Sequence, residues 1–349
     1  MTFSNGAAGV DGALALLGGV SARASQWLVD RVGSDGAPWG SEIANCWWRV
    51  PWALLVAGHV DPAGAVLNWV ERNALTSDGD LRDGPFGGGL EGSPVYQLSH
   101  LAIAAHLDQR WDLADRLYKK VLQFRQPSGG IRSLRAPEAD EEDWLLTAQL
   151  GLLGVMFRDE PVAAGCYRWF ERVWAAQPEL DRLRLYTGWR NGALLTDLDT
   201  AKAGPRFVDH RAERHYYFQA GGAVAFLADY ARWKDDPSLL PLSRAMLNLN
   251  LKGTDAQFTD ARSVHICKFG WGVAQIAMVD REVDWLPQLL KVSAWFAERQ
   301  EPSGAWPPSL FTLDRDPNDF DRMWKTAEHL MEVRQLIAAL HRVGPPQAG

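Results

Sequence analysis

The chain has 349 residues, 47% hydrophobic and 23% charged, which is enough apolar material for one sizeable buried core. Its formal charge of −7, with no basic stripe, excludes nucleic acid as a partner, because phosphate binding needs clustered Lys and Arg. Cys46, Cys166 and Cys267 are far apart and odd in number, which excludes a disulfide framework and fits a reducing cytoplasm.

The opening stretch MTFSNGAAGVDGALALLGGV lacks the basic start of a signal peptide. No run approaches the ~20 apolar residues of a membrane span, so a cytoplasmic protein is expected. The 17 tryptophans are the unusual count. Each is a large apolar surface with one donor, suited to packed helix interfaces or to an aromatic-walled pocket.

In chain order, helical periodicity and Gly, Asp and Ser punctuation predict helices over 11–33, 44–58, 62–75, 94–107, 110–125 and 140–157. The second half continues with 160–176, 212–231, 237–251, 264–279, 284–299 and 319–342. Strand signals are nearly absent, and no sheet beyond a short hairpin is expected. Only the connection 177–211 is long, and a long ordered loop is often functional.

The two alternating sets differ in kind. The odd ones carry a charged face, as in Asp112-Leu-Ala-Asp-Arg-Leu-Tyr-Lys-Lys120. The even ones are apolar or small nearly all round, as in Gly270-Trp-Gly-Val-Ala-Gln-Ile-Ala277, and a helix hydrophobic on all sides is a buried one. Twelve helices in short-linked pairs then form a closed ring of six hairpins, even helices inside, with residues 1–349 as a single domain.

Gln300-Glu-Pro-Ser-Gly304-Ala-Trp306 resembles the Q-x3-G-x-W repeat of the terpenoid-cyclase and protein-prenyltransferase toroid superfamily. Gln126-Pro-Ser-Gly129-Gly-Ile131 and Gly36-Ala-Pro-Trp39 are degraded copies. The Gly-rich Asp83–Gly89 turn before Tyr96 and His100 is similar to one that precedes an inner helix of the prenyltransferases. The resemblance implies an all-α, (α/α)6 toroid. Two motifs of that superfamily depart from its pattern. Asp197-Leu-Asp199-Thr200 has two of the three acids of a DxDD motif, and His265-Ile-Cys267 lacks the Asp of an Asp-x-Cys zinc site.

If all inner helices point the same way, their N-termini share one mouth. The first turns there hold Trp47 and Trp48; Tyr96 and His100; Glu142 and Trp144; His215, Tyr216, Tyr217 and Gln219; His265, Cys267, Lys268 and Trp271; and Trp324. Pooled helix N-termini favour anions and lower a histidine's pKa, and a neutral His beside Tyr and Glu suits proton transfer. The candidates for catalysis are His215 or His265 as base, Tyr216 and Glu142 as proton donors, and Asp209 and Cys267 beside them. Trp47, Trp48, Tyr96, Trp144, Tyr217, Gln219, Lys268, Trp271 and Trp324 are candidates for binding substrate.

Each has a plainer reading. Asp140–Asp143 suits helix capping, the tryptophans suit core packing, and His59, His106, His329 and His341 lie away from that mouth. Asp209, His215, His265 and Cys267 are a ligand set for zinc by type alone.

The leading expectation is a metal-free and cofactor-free cyclase, isomerase or lyase. It would act by acid–base catalysis on a mostly apolar, terpenoid- or polyketide-like small molecule in an aromatic-lined central cavity. A carbohydrate-active enzyme, either glycoside hydrolase or sugar epimerase, is the second class, and a non-catalytic small-molecule binding module is the third. Two opposed carboxylates about 5–10 Å apart among many polar donors mark a sugar enzyme, whereas an aromatic cup marks the first class.

Overall fold

The computed structural model describes residues 6–42, 46–88, 90–259, 265–309 and 316–343, with the side chains of 6–8 and 265–267 excepted. Six helices touch in sequence to close an inner ring: α2 (Val50–Val56), α4 (Val95–Leu107), α6 (Trp144–Met156), α8 (Phe218–Lys234), α11 (His265–Ala277) and α13 (Asp319–Val343). Outside them stand α1 (Gly6–Val29), α3 (Val60–Asn73), α5 (Trp111–Leu122), α7 (Glu160–Ala175), α9 (Leu240–Lys252) and α12 (Leu286–Arg299). The chain is an α/α toroid. A short α10 (Ala256–Thr259) shifts the numbering, so the last two inner helices are α11 and α13.

Burial explains the two sets. On α8 every residue from Phe218 to Ala228 is buried, so no face is left for water. On α5 only Leu113, Ala114, Leu117, Tyr118 and Val121 are buried, a single stripe at helical spacing. The ring closes where α1 packs on α13 and α12, and the repeat motif makes that joint. The Gln300 amide donates to the carbonyls of Val20 and Gly304 at 2.9 and 2.8 Å and accepts from Arg23. The Trp306 indole donates to the Phe296 carbonyl at 2.9 Å. Gly304 has φ +94°, and a Cβ there would sit 2.5 Å from the Arg23 carbonyl oxygen. The same turn recurs at Gly36, Gly79 and Gly129, each tucked against the next outer helix. The repeat is therefore the clamp between successive outer helices.

Three expectations need correction. There is more sheet than a hairpin. β1 (Ile131–Arg132), β2 (Glu141–Asp143), β4 (Gly188–Arg190) and β5 (Ala193–Leu194) form one antiparallel sheet in that order. β3 (Arg184–Tyr186) pairs with β6 (Phe207–Asp209). The long connection supplies four of these strands. Helix α6 starts at Trp144 rather than 140, because Asp143 is its N-cap and accepts from the Leu146 amide at 2.8 Å. Likewise α8 starts at Phe218, and α2 at Val50 ahead of Pro51, so His215–Tyr217 and Trp47–Arg49 form the leads into those helices.

Candidate functional site

Charged side chains meet inside the ring. Lys268, in the first turn of α11, places Nζ 2.7 Å from Glu328 Oε1 and 3.2 Å from Glu332 Oε1. The two carboxylates are four residues apart on α13 and so share one face. Arg49, from the lead into α2, places Nε 3.3 Å from Glu328 Oε2. All four side chains are less than a tenth exposed.

Aromatic rings enclose this network. The Arg49 guanidinium lies 3.7 Å over the Trp48 ring and 4.9 Å from that of Trp324, and Lys268 Nζ is 4.7 Å from the Trp271 ring. His100, fully buried on α4, contacts the rings of Trp48, Trp52 and Tyr96 edge-on at 4.7, 5.0 and 4.7 Å. Its Nδ1 is 2.8 Å from the Tyr96 carbonyl, an acceptor only, so Nδ1 carries the proton and Nε2 presents its lone pair. Nε2 is buried and has no hydrogen-bond partner.

Electrostatics divides the two glutamates. Burial works against ionising Glu328, but the Lys268 and Arg49 cations outweigh it and hold the group down at about 2. Burial dominates at Glu332, which also feels the Glu328 charge, and pushes it up to about 8. Burial, with Arg49 and Lys268 nearby, keeps His100 well below its ordinary value and therefore neutral. The ring thus holds a protonated carboxyl, an ionised carboxylate and a neutral imidazole, the pattern that separates acid from base.

Of the residues placed at the mouth from the sequence, Trp48, Tyr96, His100, Lys268, Trp271 and Trp324 belong to this cluster. Several of the others make contacts elsewhere. Glu142 accepts from Ser128 at 2.7 Å and from the Trp169 indole of outer helix α7, and burial raises its pKa. Trp144 donates to the Gln219 carbonyl at 2.8 Å and packs on Trp169 and Phe170, while Trp47 packs on Trp69 and Phe86. The Gln219 amide donates to the Pro205 carbonyl at 3.0 Å. His215 lies edge-on to Phe207 and Tyr216 at 5.8 and 5.6 Å, with its pKa lowered by burial. Tyr217 is buried 6.0 Å from the His210 ring. Asp209 pairs with Arg184 at 3.2 Å. The side chains of His265 and Cys267 lie outside the described residues.

The Asp197–Thr200 segment is a largely exposed turn. Among the described residues no group of three or more His, Cys, Asp or Glu forms a metal-binding cluster, and no helix is long and apolar enough to cross a membrane.

Sequence reasoning passed over Arg49, Trp52 and Glu332. Arg49 is a lone charge in the apolar Trp47–Ala57 run, and that mismatch marks it, whereas Glu332 sits among Asp321, Arg322, Lys325, Glu328 and Arg334 on α13 and no local signal singles it out. Polar groups also gather at the opposite mouth. The C-terminal halves of the inner helices bring together Trp233, Asp229, Arg232, Gln275 and Gln335 around a cavity of about 640 Å³ there.

No family model matches the chain, and no curated protein matches it. Solved structures do. An α-1,6-mannanase, GH76A of Salegentibacter sp. HEL1_6, superposes with a TM-score of 0.61 at 11% identity, covering 92% of this chain and 99% of that one. The type II terpene cyclase MstE from Scytonema gives 0.59 at 14% identity, covering 93% and 99%. A protein from Actinoplanes gives 0.56 at 14% identity, covering 92% and 99%. At such identities the likeness is one of fold, and what the chain shares with these proteins is the α/α toroid.

Proposed function

We propose that the chain is an acid–base enzyme, a cyclase, isomerase or lyase, acting on a mostly apolar small molecule inside the ring. The observation that carries this reading is the pair Glu328 and Glu332 on one lysine, walled by Trp48, Trp52 and Trp271. Burying a charge costs several kcal/mol per ion, and apolar side chains of similar volume would stabilise the ring as well or better. A charged network retained in an apolar ring therefore favours function over stability.

In this reading the Glu332 carboxyl is the acid, kept protonated at neutral pH by burial. It gives its proton to a substrate carbon, and positive charge develops in the apolar body. The indole faces attract that charge. His100 Nε2 then takes a proton from a neighbouring carbon, so the net result is isomerisation or ring closure with no atoms gained or lost. Glu328, held by Lys268 and Arg49, stays ionised and fixes the Lys268 ammonium beside Glu332.

The sugar-enzyme reading is supported by the toroid mannanase, but here both carboxylates reach one ammonium from one helix rather than facing each other. The test is incubation in D2O with a panel of polyene amphiphiles and with manno-oligosaccharides, read by mass spectrometry. The expected product is an isomer of an apolar substrate carrying one carbon-bound deuterium, absent for Glu332→Gln. Hydrolysed oligosaccharide, or full turnover by Glu332→Gln, would overturn the proposal.

A further inference from the structure

The cavity at the mouth formed by the C-terminal halves of the inner helices measures about 640 Å³, within the ~300–1,000 Å³ range of small-molecule sites. Its floor includes Trp52 and Trp271, edge to face with centroids 5.9 Å apart. Those same rings touch the charged cluster: Trp52 lies against His100, and Trp271 against Lys268. Gln335, also in the lining, is three residues beyond Glu332, about one helical turn of ~5.4 Å. Polar and apolar surface share the lining about equally, with Ile103, Leu152 and Val155 on the apolar side.

The rim is charged. Asp229 is bound to Arg232, so Arg158 leaves one positive charge in excess. Arg158 is exposed, 5.2 Å over the Trp233 ring, and pairs with no carboxylate among the described residues. Deeper in, Gln275 donates to Gln335 at 2.8 Å, while its own amide oxygen is buried with no partner, an open acceptor on the wall.

We propose that this cavity is the substrate chamber, and that its ligand is an amphiphile. The apolar body rests on Trp52 and Trp271, and an anionic head, carboxylate or phosphate, is held by Arg158 at the rim. The proposal rests on the reading that the Lys268 cluster does the chemistry, and it orients the substrate: the apolar end faces the acid and the head faces solvent. The plainer account is that Arg158 only offsets the partial negative charge of the α6 C-terminus. That account predicts no discrimination between head groups.

Calorimetric titration of the full chain with laurate, dodecanol and dodecyltrimethylammonium separates the two. Laurate is expected to occupy one site and to bind about tenfold more tightly than the cationic analogue, the scale of one charge-assisted contact. Arg158→Glu should abolish that preference. Filling the cavity by Leu152→Trp, or by Met156→Trp at its less buried edge should Leu152→Trp fail to fold, should weaken laurate at least about tenfold. Failure of laurate to bind, equal binding of all three probes, or unchanged affinity in the folded wall variant would overturn the proposal. Laurate binding needs no turnover, so the acid can fail alone. Glu332→Gln that remains active while laurate still maps to the cavity would remove only the catalytic reading.

Discussion

Lys268 Nζ stands 2.7 Å from Glu328 Oε1, tying the first turn of α11 to the middle of α13 across the inside of the ring. The same ammonium also reaches Glu332, so one cation compensates two carboxyl groups. Removing it should therefore act differently at different pH. Lys268→Met leaves a buried carboxylate short of its partner, a loss of about 3–5 kcal/mol when one member of a buried pair is deleted. The loss should shrink at low pH, where the glutamates can protonate. Thermal melts at pH 5 and pH 8 check this, and an equal loss at both would show that the pair is not electrostatically coupled.

Glu332 gives a second prediction, with its sign opposite to that of an ordinary salt-bridged acid. Its folded pKa, at about 8, lies above the ~4.3 of an unfolded glutamate. Between those values the folded state holds a proton that the unfolded state has lost, so this group's contribution to stability falls as pH rises. Buried histidines such as His100 act the other way as pH rises towards ~6.5. The difference between wild type and Glu332→Gln isolates the effect. Relative to wild type, the Gln variant should gain stability steadily from pH 5 to pH 8 in chemical denaturation. A flat difference would mean that Glu332 ionises normally.

If His100 is the base, His100→Phe should remove activity without removing the fold. General base catalysis is worth about 10²–10⁴-fold, whereas the fold loses one hydrogen bond, from Nδ1 to the Tyr96 carbonyl, about 0.5–1.5 kcal/mol. His215→Ala, whose ring lies on Phe207 and Tyr216, should stay within a few-fold of wild-type turnover. Loss of activity in His215→Ala with His100→Phe unaffected would move the base to the lead into α8.

The ring-closing turn can be tested separately from any chemistry. Gly304→Ala forces a side chain into a left-handed backbone and towards the Arg23 carbonyl oxygen, at 2.5 Å for an ideal Cβ. A destabilisation of at least about 1–3 kcal/mol is expected, seen as a lower midpoint in urea with the slope unchanged. A midpoint equal to wild type would mean that the α12–α13 turn does not clamp α1.

The sequence by itself determined the ring. All-round apolar inner helices, single-striped outer ones and the Gln300–Trp306 turn are local patterns, and burial and φ follow from them directly. It also placed Trp48, Tyr96, His100, Lys268, Trp271 and Trp324 at one mouth, because residues at helix starts share a level wherever the helices run parallel. What only the tertiary structure decided was which way each side chain turns and which groups it meets. Glu142 looks as available as Glu332 in the sequence, yet its partners Ser128 and Trp169 draw it towards the outer shell. Glu332 lies four turns into α13, far from any helix start, and comes level with Lys268 only because α13 begins further out along the axis than α11. Burial inside the ring raises its pKa, Lys268 from 64 positions away opposes that and the Glu328 charge adds to it, a sum that no local pattern encodes.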